Sequence, residues 1–529
     1  MADLTVLGLW DGHDAGVALI RDGSLQFAVS EERLSRVKRA QGFPSLALQA
    51  CLSQCNVDPS EIDVIAVPGR FGRLLHRAGD AVYRRSSTQR DPMGLSSILA
   101  REMELGMARL PTLRRLESKG SQAVLARRLR RVGLRAPVVP VDHHDAHAWT
   151  ARLGGLPDTM VVTMDGYGDG LAATFDGPGP DREALSSPGC SVALVYGAVT
   201  RQLGFSEGEE GKVMGLAAHG DPRPLAPWFR ERMGFESCLP SLGGRIGRRA
   251  LTEHRREDVA AALQHRTEEV VSGWIDARRQ QQTNIALSGG LFANASLNGR
   301  LAKQFDRIFV FPHMGDGGLC VGAALAVTGP VPFKMPFLGP DYAGDVIEAA
   351  LHKRGLGAAR VDHPEDVLLG VIDEGGIVGR FVGRSEFGPR ALGHRSILCR
   401  ADRPAILSDL GDRLDREPFM PFAPIRRTGA GSATMTVVVD ADETLRRECP
   451  AAVHVDNTVR TQVATEENDA GMWRLLGRAE SRGMPALINT SFNRHQEPIV
   501  ETPDDAIETF LSTRLDAMQL GGFVVRRPQ

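Results

Sequence analysis

No CxxC pair, no apolar run approaching the length of a membrane span and no large excess of either charge occur in this 529-residue chain. The seven cysteines, Cys51, Cys55, Cys190 and Cys399 among them, are scattered, which suits reduced thiols packed as small hydrophobes. Without an apolar stretch of about 20 residues, no membrane-spanning helix is expected. A formal charge of −2 argues against nucleic acid as the main partner, because such proteins usually carry a strong basic excess. Residues 1–10 include Asp3 and read as a short strand, with no basic flank or cleavage site behind them, so a cytoplasmic protein is expected. The length is enough for at least two sizeable cores.

The densest chemistry lies in Val141-Asp142-His143-His144-Asp145-Ala146-His147-Ala148. If this stretch opens a helix after an extended run over 138–141, His143 and His147 project from one face as neighbours. That is the spacing of a two-histidine metal grip, which carboxylates from elsewhere would complete. It is equally the spacing of a histidine-rich helix start that only caps and packs.

Residues 5–9, 16–20 and 25–29 read as strands joined by Asp11-Gly12-His13-Asp14 and Asp22-Gly23, a β-meander with an acidic first turn. A related order returns in a strand over 160–164, the turn Asp165-Gly166-Tyr167-Gly168-Asp169, a strand over 171–175 and Asp176-Gly177. Duplication of a lobe explains the return, and so does chance, since DG turns are common in β-rich chains. Two lobes that each open on such a hairpin resemble the actin, sugar-kinase and heat-shock-chaperone superfamily. There the two turns face each other across a cleft and hold phosphates and a cation. Further along, a strand over 284–287 runs into Ser288-Gly289-Gly290, where glycines let backbone approach a ligand. A helix is expected over 291–301, with Asn294 and Asn298 on one side, and the loop after a strand over 308–311 offers Asp316 as a further metal carboxylate. The arginine-rich, helix-like region 70–131, with Leu74, Met103, Leu125 and Leu129 on an apolar face, reads as an insertion shaping an acceptor pocket or as a solvated basic cap.

Gly329-Pro330-Val331-Pro332 punctuates the chain, so domains of 1–332 and 333–529 are expected. The second holds Gly383-Arg384-Ser385-Glu386-Phe387-Gly388-Pro389-Arg390-Ala391-Leu392-Gly393-His394-Arg395-Ser396, in which arginines interleave with glycines. Guanidinium forks on such a backbone suit phosphate oxygens. More arginines follow in 412–424 and at Arg460, and the strand 485–489 ends in the polar run Asn489-Thr490-Ser491-Phe492-Asn493. Any one of these segments could be salt-bridge chemistry, but several in one half are harder to absorb in that way.

In their order along the chain, Gly12-His13-Asp14, His143-His144-Asp145-Ala146-His147, Lys212-Val213-Met214-Gly215-Leu216-Ala217, Ser288-Gly289-Gly290, Gly315-Asp316, Phe387-Gly388-Pro389-Arg390-Ala391-Leu392-Gly393, Met420-Pro421-Phe422-Ala423-Pro424, His454-Val455-Asp456 and Asn489-Thr490-Ser491-Phe492-Asn493 resemble the O-carbamoyltransferase family. That family includes nodulation carbamoyltransferases and enzymes that decorate natural products. The resemblance runs from end to end. It implies an α/β protein: a duplicated actin- and sugar-kinase-like (Kae1-like) domain, followed by a YrdC-like twisted sheet. The second domain would make carbamoyl-adenylate from carbamoyl phosphate and ATP with Mg(II), and the first would pass the carbamoyl group to a hydroxyl of a small-molecule acceptor.

Carried over residue by residue, the resemblance makes His143, His147, Asp165 and Asp316 ligands of Fe(II) or another divalent ion, and His13 the general base. It makes Asp11 and Asp14 acceptor-positioning groups, and Gly289, Gly290, Asn294 and Gly317 contacts to the nucleotide. Carbamoyl phosphate and ATP fall to Arg384, Arg390, Arg413, Arg416, Arg460, Asn489 and Ser491. The chain departs from many relatives where Met420 stands for an arginine, Gln496 for a glycine, and Arg413 or Leu414 for a lysine, so Arg413 is expected to supply that charge. Transfer to another acceptor class, as in transfer-RNA threonylcarbamoylation, would call for a larger basic surface. A kinase or ATPase on the same fold would yield ADP and would not need the arginine-rich half.

Overall fold

The computed structural model describes residues 4–70, 110–177, 182–186, 191–235, 251–357 and 359–527. The chain forms two compact units. Met1–Glu31 and Arg39–Phe333 make the first, and Glu32–Lys38 joins Lys334–Gln529 in the second.

In the first unit, β1 (Val6–Trp10), β2 (Gly16–Arg21), β3 (Ser24–Ser30), β4 (Val64–Pro68) and β5 (Val138–Val141) form a sheet in the order β3-β2-β1-β4-β5. The strands β6 (Thr159–Gly168), β7 (Leu171–Asp176), β8 (Arg182–Leu185), β9 (Asn284–Ser288) and β10 (Arg307–Val310) form another, in the order β8-β7-β6-β9-β10. Both sheets pair their first three strands antiparallel and their first, fourth and fifth parallel. The repeat in the sequence is therefore a duplication, and the unit has the actin- and sugar-kinase-like arrangement. β1 and β9 are buried along their whole length, as expected of strands flanked on both sides.

The second hairpin differs from its expected form. Its tight turn is Asp169-Gly170, both with positive φ (50° and 90°), and β6 runs on through 165–168 with a register shift between Met164 and Gly168. A bulge of this kind re-aims a side chain that regular pleating would fix to one face, and Asp165 sits in it. The expected helix over 291–301 is also split into a 3-10 turn, Gly290–Ala293, and a helix, Ala295–Ala302, with Asn294 as the cap between them.

In the second unit, β11 (Ala359–Arg360), β12 (Val378–Phe381), β13 (Arg395–Arg400), β14 (Ala423–Arg426), β17 (Gln462–Val463), β18 (Leu487–Ser491), β19 (Ala517–Leu520) and β20 (Phe523–Arg526) form one mixed sheet. Its order is β11-β20-β19-β12-β13-β18-β14-β17, while β15 (Val439–Asp440) and β16 (Thr458–Val459) pair separately. Helices cover both faces. Pro364–Asp373 and Ala470–Ser481 bury Leu368, Ile372, Met472 and Leu475 on one, whereas Gly344–Lys353, Pro404–Arg413 and Pro503–Thr513 bury Leu351, Leu410 and Phe510 on the other. Successive residues of β13 alternate between these cores, with Leu398 in the first and Ile397 and Cys399 in the second.

The described cysteines, Cys51, Cys55, Cys320, Cys399 and Cys449, are free thiols, and all but Cys55 are buried. Among the described residues no helix is long and apolar enough to cross a membrane. Of the expected insertion over 70–131, residues 71–109, including Leu74 and Met103, lie outside the described residues, and its described end is the helix Pro111–Arg131.

Candidate active site

Asp142 caps the helix His143–Arg152 by accepting the backbone N–H of His144, so the histidine run begins a helix as its spacing predicts. The helix separates the three histidines by role. His144 Nδ1 lies 2.7 Å from Thr163 Oγ1 and its Nε2 3.1 Å from the Leu171 carbonyl, so both ring nitrogens are engaged with the sheet. Burial, with the neighbouring His143 and His147, lowers its pKa to about 3, and the ring is neutral.

His143 and His147 point the other way. With Asp165 and Asp316 they bring four donor atoms within 4.8 Å of one another. His143 Nε2 is 3.3 Å from Asp165 Oδ2 and 3.5 Å from Asp316 Oδ1, and His147 Nε2 is 3.6 Å from that same oxygen. His147 Nε2 and Asp316 Oδ1 are buried and make no hydrogen bond. Buried polar atoms are almost always satisfied, so two that face each other in a set of imidazoles and carboxylates fit a divalent cation. The outer contacts prepare this. Ser288 Oγ donates to the Met314 carbonyl and lies 3.2 Å from His147 Nδ1, so it accepts the proton there and leaves the Nε2 lone pair free for the centre. Asp165 Oδ1 accepts the Gly290 N–H at 3.0 Å, which aims its other oxygen at His143.

Two glycines make room. A Cβ on Gly168 would lie 2.4 Å from the His143 ring, and one on Gly289 would lie 2.1 Å from the Met164 carbonyl. Gly289 also holds φ +107°, a region that L side chains rarely adopt.

His13 stands at the edge of this cluster, its side chain 48 % exposed, with Nε2 3.5 Å from Asp316 Oδ2 and Nδ1 3.5 Å from Asp14 Oδ2. Loss of solvent around the ring opposes a charge, but the Asp316 and Asp14 carboxylates outweigh it and raise its pKa to about 9. Burial likewise opposes charge on Asp316, and the His143 and His13 rings hold it well below the usual carboxylate range all the same.

The second unit gathers charge of the other sign. Arg390 lies in the loop before β13, Arg416 follows the helix Pro404–Arg413, and Arg460 stands between β16 and β17. Desolvation lowers the pKa of all three; repulsion from Arg390 adds to it at Arg416, which falls to about 10, and repulsion from Arg390 and Arg416 adds to it at Arg460, which falls well below the usual value. Arg416 donates to the carbonyls of Met420 and Pro421 and to Thr490 Oγ1. Among the described residues, Arg390 and Arg460 have no carboxylate partner, and Arg460 Nε is buried without any partner. Asn489 braces the surroundings: its Nδ2 donates to Gln462 Oε1 at 2.6 Å and to the Ala391 carbonyl, and its Oδ1 is buried and unpartnered. Gln462 in turn donates to the Leu392 carbonyl, tying the loop of Arg390 to the strand after Arg460.

The Carbamoyltransferase N-terminus family matches residues 5–226 and 242–325, and the Carbamoyltransferase C-terminus family matches residues 370–527. The chain belongs to the carbamoyltransferase family. Nodulation protein NolNO of Sinorhizobium fredii is 31% identical over 566 aligned positions, which cover 97% of this chain and 79% of that protein. Nodulation protein NolO of Bradyrhizobium diazoefficiens is 34% identical over 438, covering 73% and 79%. The 3'-hydroxymethylcephem-O-carbamoyltransferase of Streptomyces clavuligerus is 27% identical over 378, covering 65% and 70%.

Within this carbamoyltransferase the residues expected from the sequence fall into two groups. His13, His143, His147, Asp165 and Asp316 come together, with Asp14 beside His13 and Asp11 buried at the end of β1. Arg390, Arg416 and Arg460 form the other cluster, near Asn489. Three other expected site residues are committed elsewhere. Arg413 pairs with Asp409 at 2.6 Å and donates to the Arg514 carbonyl, so it does not replace the missing lysine charge. Arg384 donates to the carbonyls of Leu338 and Gly339. The Asn294 amide caps its helix through the Leu297 N–H and pairs reciprocally with Gln264, which leaves it nothing to offer a nucleotide. Gly317 packs against His313, whose ring a Cβ there would meet at 2.0 Å. Gln462 escaped sequence reasoning, because a lone glutamine carries no pattern of its own, and Ser288 was noted in its glycine run without its contact to His147.

Proposed function

We propose that this carbamoyltransferase works in two steps on two sites. The observation that carries the reading is the set of half-buried Arg390, Arg416 and Arg460, close enough to repel and without a carboxylate partner among the described residues. Guanidiniums held against their own repulsion ask for a polyanion, and carbamoyl phosphate with ATP supplies one. There carbamoyl phosphate and one water give carbamate and phosphate. A carbamate oxygen then attacks the α-phosphorus of ATP and expels pyrophosphate, leaving carbamoyl-adenylate. Arg390, Arg416 and Arg460 hold the phosphoryl oxygens, Asn489 and Ser491 orient the carbamoyl group, and Mg(II) accompanies the nucleotide.

In the first unit a hydroxyl of the acceptor attacks the carbamoyl carbon, and AMP leaves. His143, His147, Asp165 and Asp316 would hold a divalent cation, Fe(II) on the family's resemblance, which when bound would offset the adenylate's charge and compete with His13 for the negative charge of Asp316. His13, at the exposed edge, takes the proton of the hydroxyl. Asp11 and Asp14 shape the acceptor end, Gly290 keeps Asp165 in place, and Gly289 and Gly317 leave room for the nucleotide. The acceptor is a hydroxylated small molecule, a reading supported by a relative named for O-carbamoylation of a cephem.

The test is to incubate the purified protein with ATP, carbamoyl phosphate, Mg(II) and Fe(II), without acceptor, and to assay pyrophosphate and AMP. Pyrophosphate that depends on carbamoyl phosphate is expected. ADP instead would overturn the reading in favour of a kinase or ATPase.

A further inference from the structure

The loop that carries Arg390 has no regular secondary structure between Phe387 and His394, yet it must present a charged side chain in a fixed place. Two buried groups hold it. Glu386, 2% exposed, uses a single carboxylate oxygen to accept the backbone N–H of Leu392 at 2.7 Å, of His394 at 2.8 Å and of Arg395 at 3.1 Å. This closes the far side of the loop onto its start. Arg33, 3% exposed, donates from Nη2 to the carbonyl of Glu386 at 3.2 Å and to that of Gly388 at 2.8 Å. Those carbonyls flank Phe387, three residues before Arg390.

Arg33 arrives from far away in sequence. It sits on the segment Glu32–Lys38, which follows the third strand of the N-terminal meander but groups with the second unit. The segment ends its short helix, Glu31–Ser35, at Arg36, which has φ +59° and donates to the carbonyls of Ile499 and Pro498 at 2.7 and 2.8 Å. The strap therefore engages the second unit at two separate places, and one of them is the loop of the arginine cluster. This buried guanidinium is held by two carbonyls, makes no ion pair among the described residues and leaves Nη1 unpartnered, while the Glu386 and Glu501 carboxylates attract it from beyond ion-pair distance.

We propose that Arg33 is a positioning residue of the anion site, fixing the Glu386–Gly388 turn so that the loop presents Arg390 to phosphate. The inference rests on the arginine cluster being the carbamoyl phosphate and ATP site. It also means that the anion site of the second unit draws on the segment Glu32–Lys38, which follows the N-terminal meander in the chain.

The test uses the full chain and two readouts: the KM for carbamoyl phosphate in pyrophosphate formation, and the affinity for inorganic phosphate by calorimetry. Arg33→Ala should raise the KM and weaken phosphate binding by about tenfold or more, the size of losing charge-assisted hydrogen bonds, while the divalent metal content stays that of the parent. Arg33→Lys should recover part of the loss, because one ammonium can reach a carbonyl without spanning both. Arg36→Ala removes the other attachment of the same strap and should leave both readouts within about twofold. If Arg33→Ala fails to fold, the comparison of Arg33→Lys with Arg36→Ala decides in the same way. Parental KM and phosphate affinity in a folded Arg33 variant would overturn the proposal, and so would equal losses in the Arg33 and Arg36 variants. A parent protein that binds phosphate but forms no pyrophosphate would refute the adenylate reading, and the phosphate affinities would still decide the role of Arg33.

Discussion

The two clusters are mirror images in charge. In the first unit carboxylates and imidazoles crowd together around buried oxygen and nitrogen atoms that have no partner, and in the second unit guanidiniums do the same. Many other charges are paired: Arg400 lies between Asp373 and Asp402, and Arg182 between Asp145 and Asp176. Where like charges gather around buried atoms without a partner, the place suits an ion of opposite sign. The comparison teaches that the informative charge is the one whose partner is missing. Arg413 and Arg384 are arginines in the right motifs, but Asp409 meets the charge of the first, and the carbonyls of Leu338 and Gly339 hold the second.

The largest effect that could break this comparison comes from the cation cluster. His143→Ala should lower carbamoyl transfer by at least about a hundredfold and abolish bound metal, read by atomic emission, with pyrophosphate formation nearly unchanged. Chelation should reproduce the effect. Next, Arg460→Ala should cut pyrophosphate formation by about tenfold to a hundredfold, with metal content intact. Equal loss of both steps in either folded variant would show that the clusters do not work separately. Gly168→Ala sharpens the first half, since its Cβ would displace the His143 ring, and metal affinity should fall by about tenfold while the arginine site is untouched. The smallest effect is expected at the satisfied groups. Arg413→Ala and Asn294→Ala should leave activity per folded molecule as it was and lower stability by about 1 kcal/mol each in urea unfolding.

Much of the fold was legible in the sequence because its signals are local. The Asp22-Gly23 turn, with φ of 53° and 66°, sets a hairpin by the conformational needs of two residues, and the apolar runs around it give the strands. His143 and His147 were legible for the same reason, since a helix places residues four apart on one face whatever surrounds it. The bulge that turns Asp165 toward His143 was less so, because it depends on how β6 and β7 pair, and the sequence reading placed a turn there. Among the arginines, type and motif gave a superset of the cluster. Arg384 and Arg413 could be removed from it only by locating the carbonyls and carboxylates that they meet.

By itself the sequence determined the first meander, the two-histidine spacing and the order of motifs that marks the family, while the repeat of the meander stayed open between duplication and chance until the two sheets were seen to share one topology. Only the tertiary structure decided which charges go unpaired, and that a strap after the third strand belongs to the other unit and clamps a loop more than 350 residues away in the chain. Pairing is a property of distance in space, and chain separation says almost nothing about it once a fold brings remote segments together.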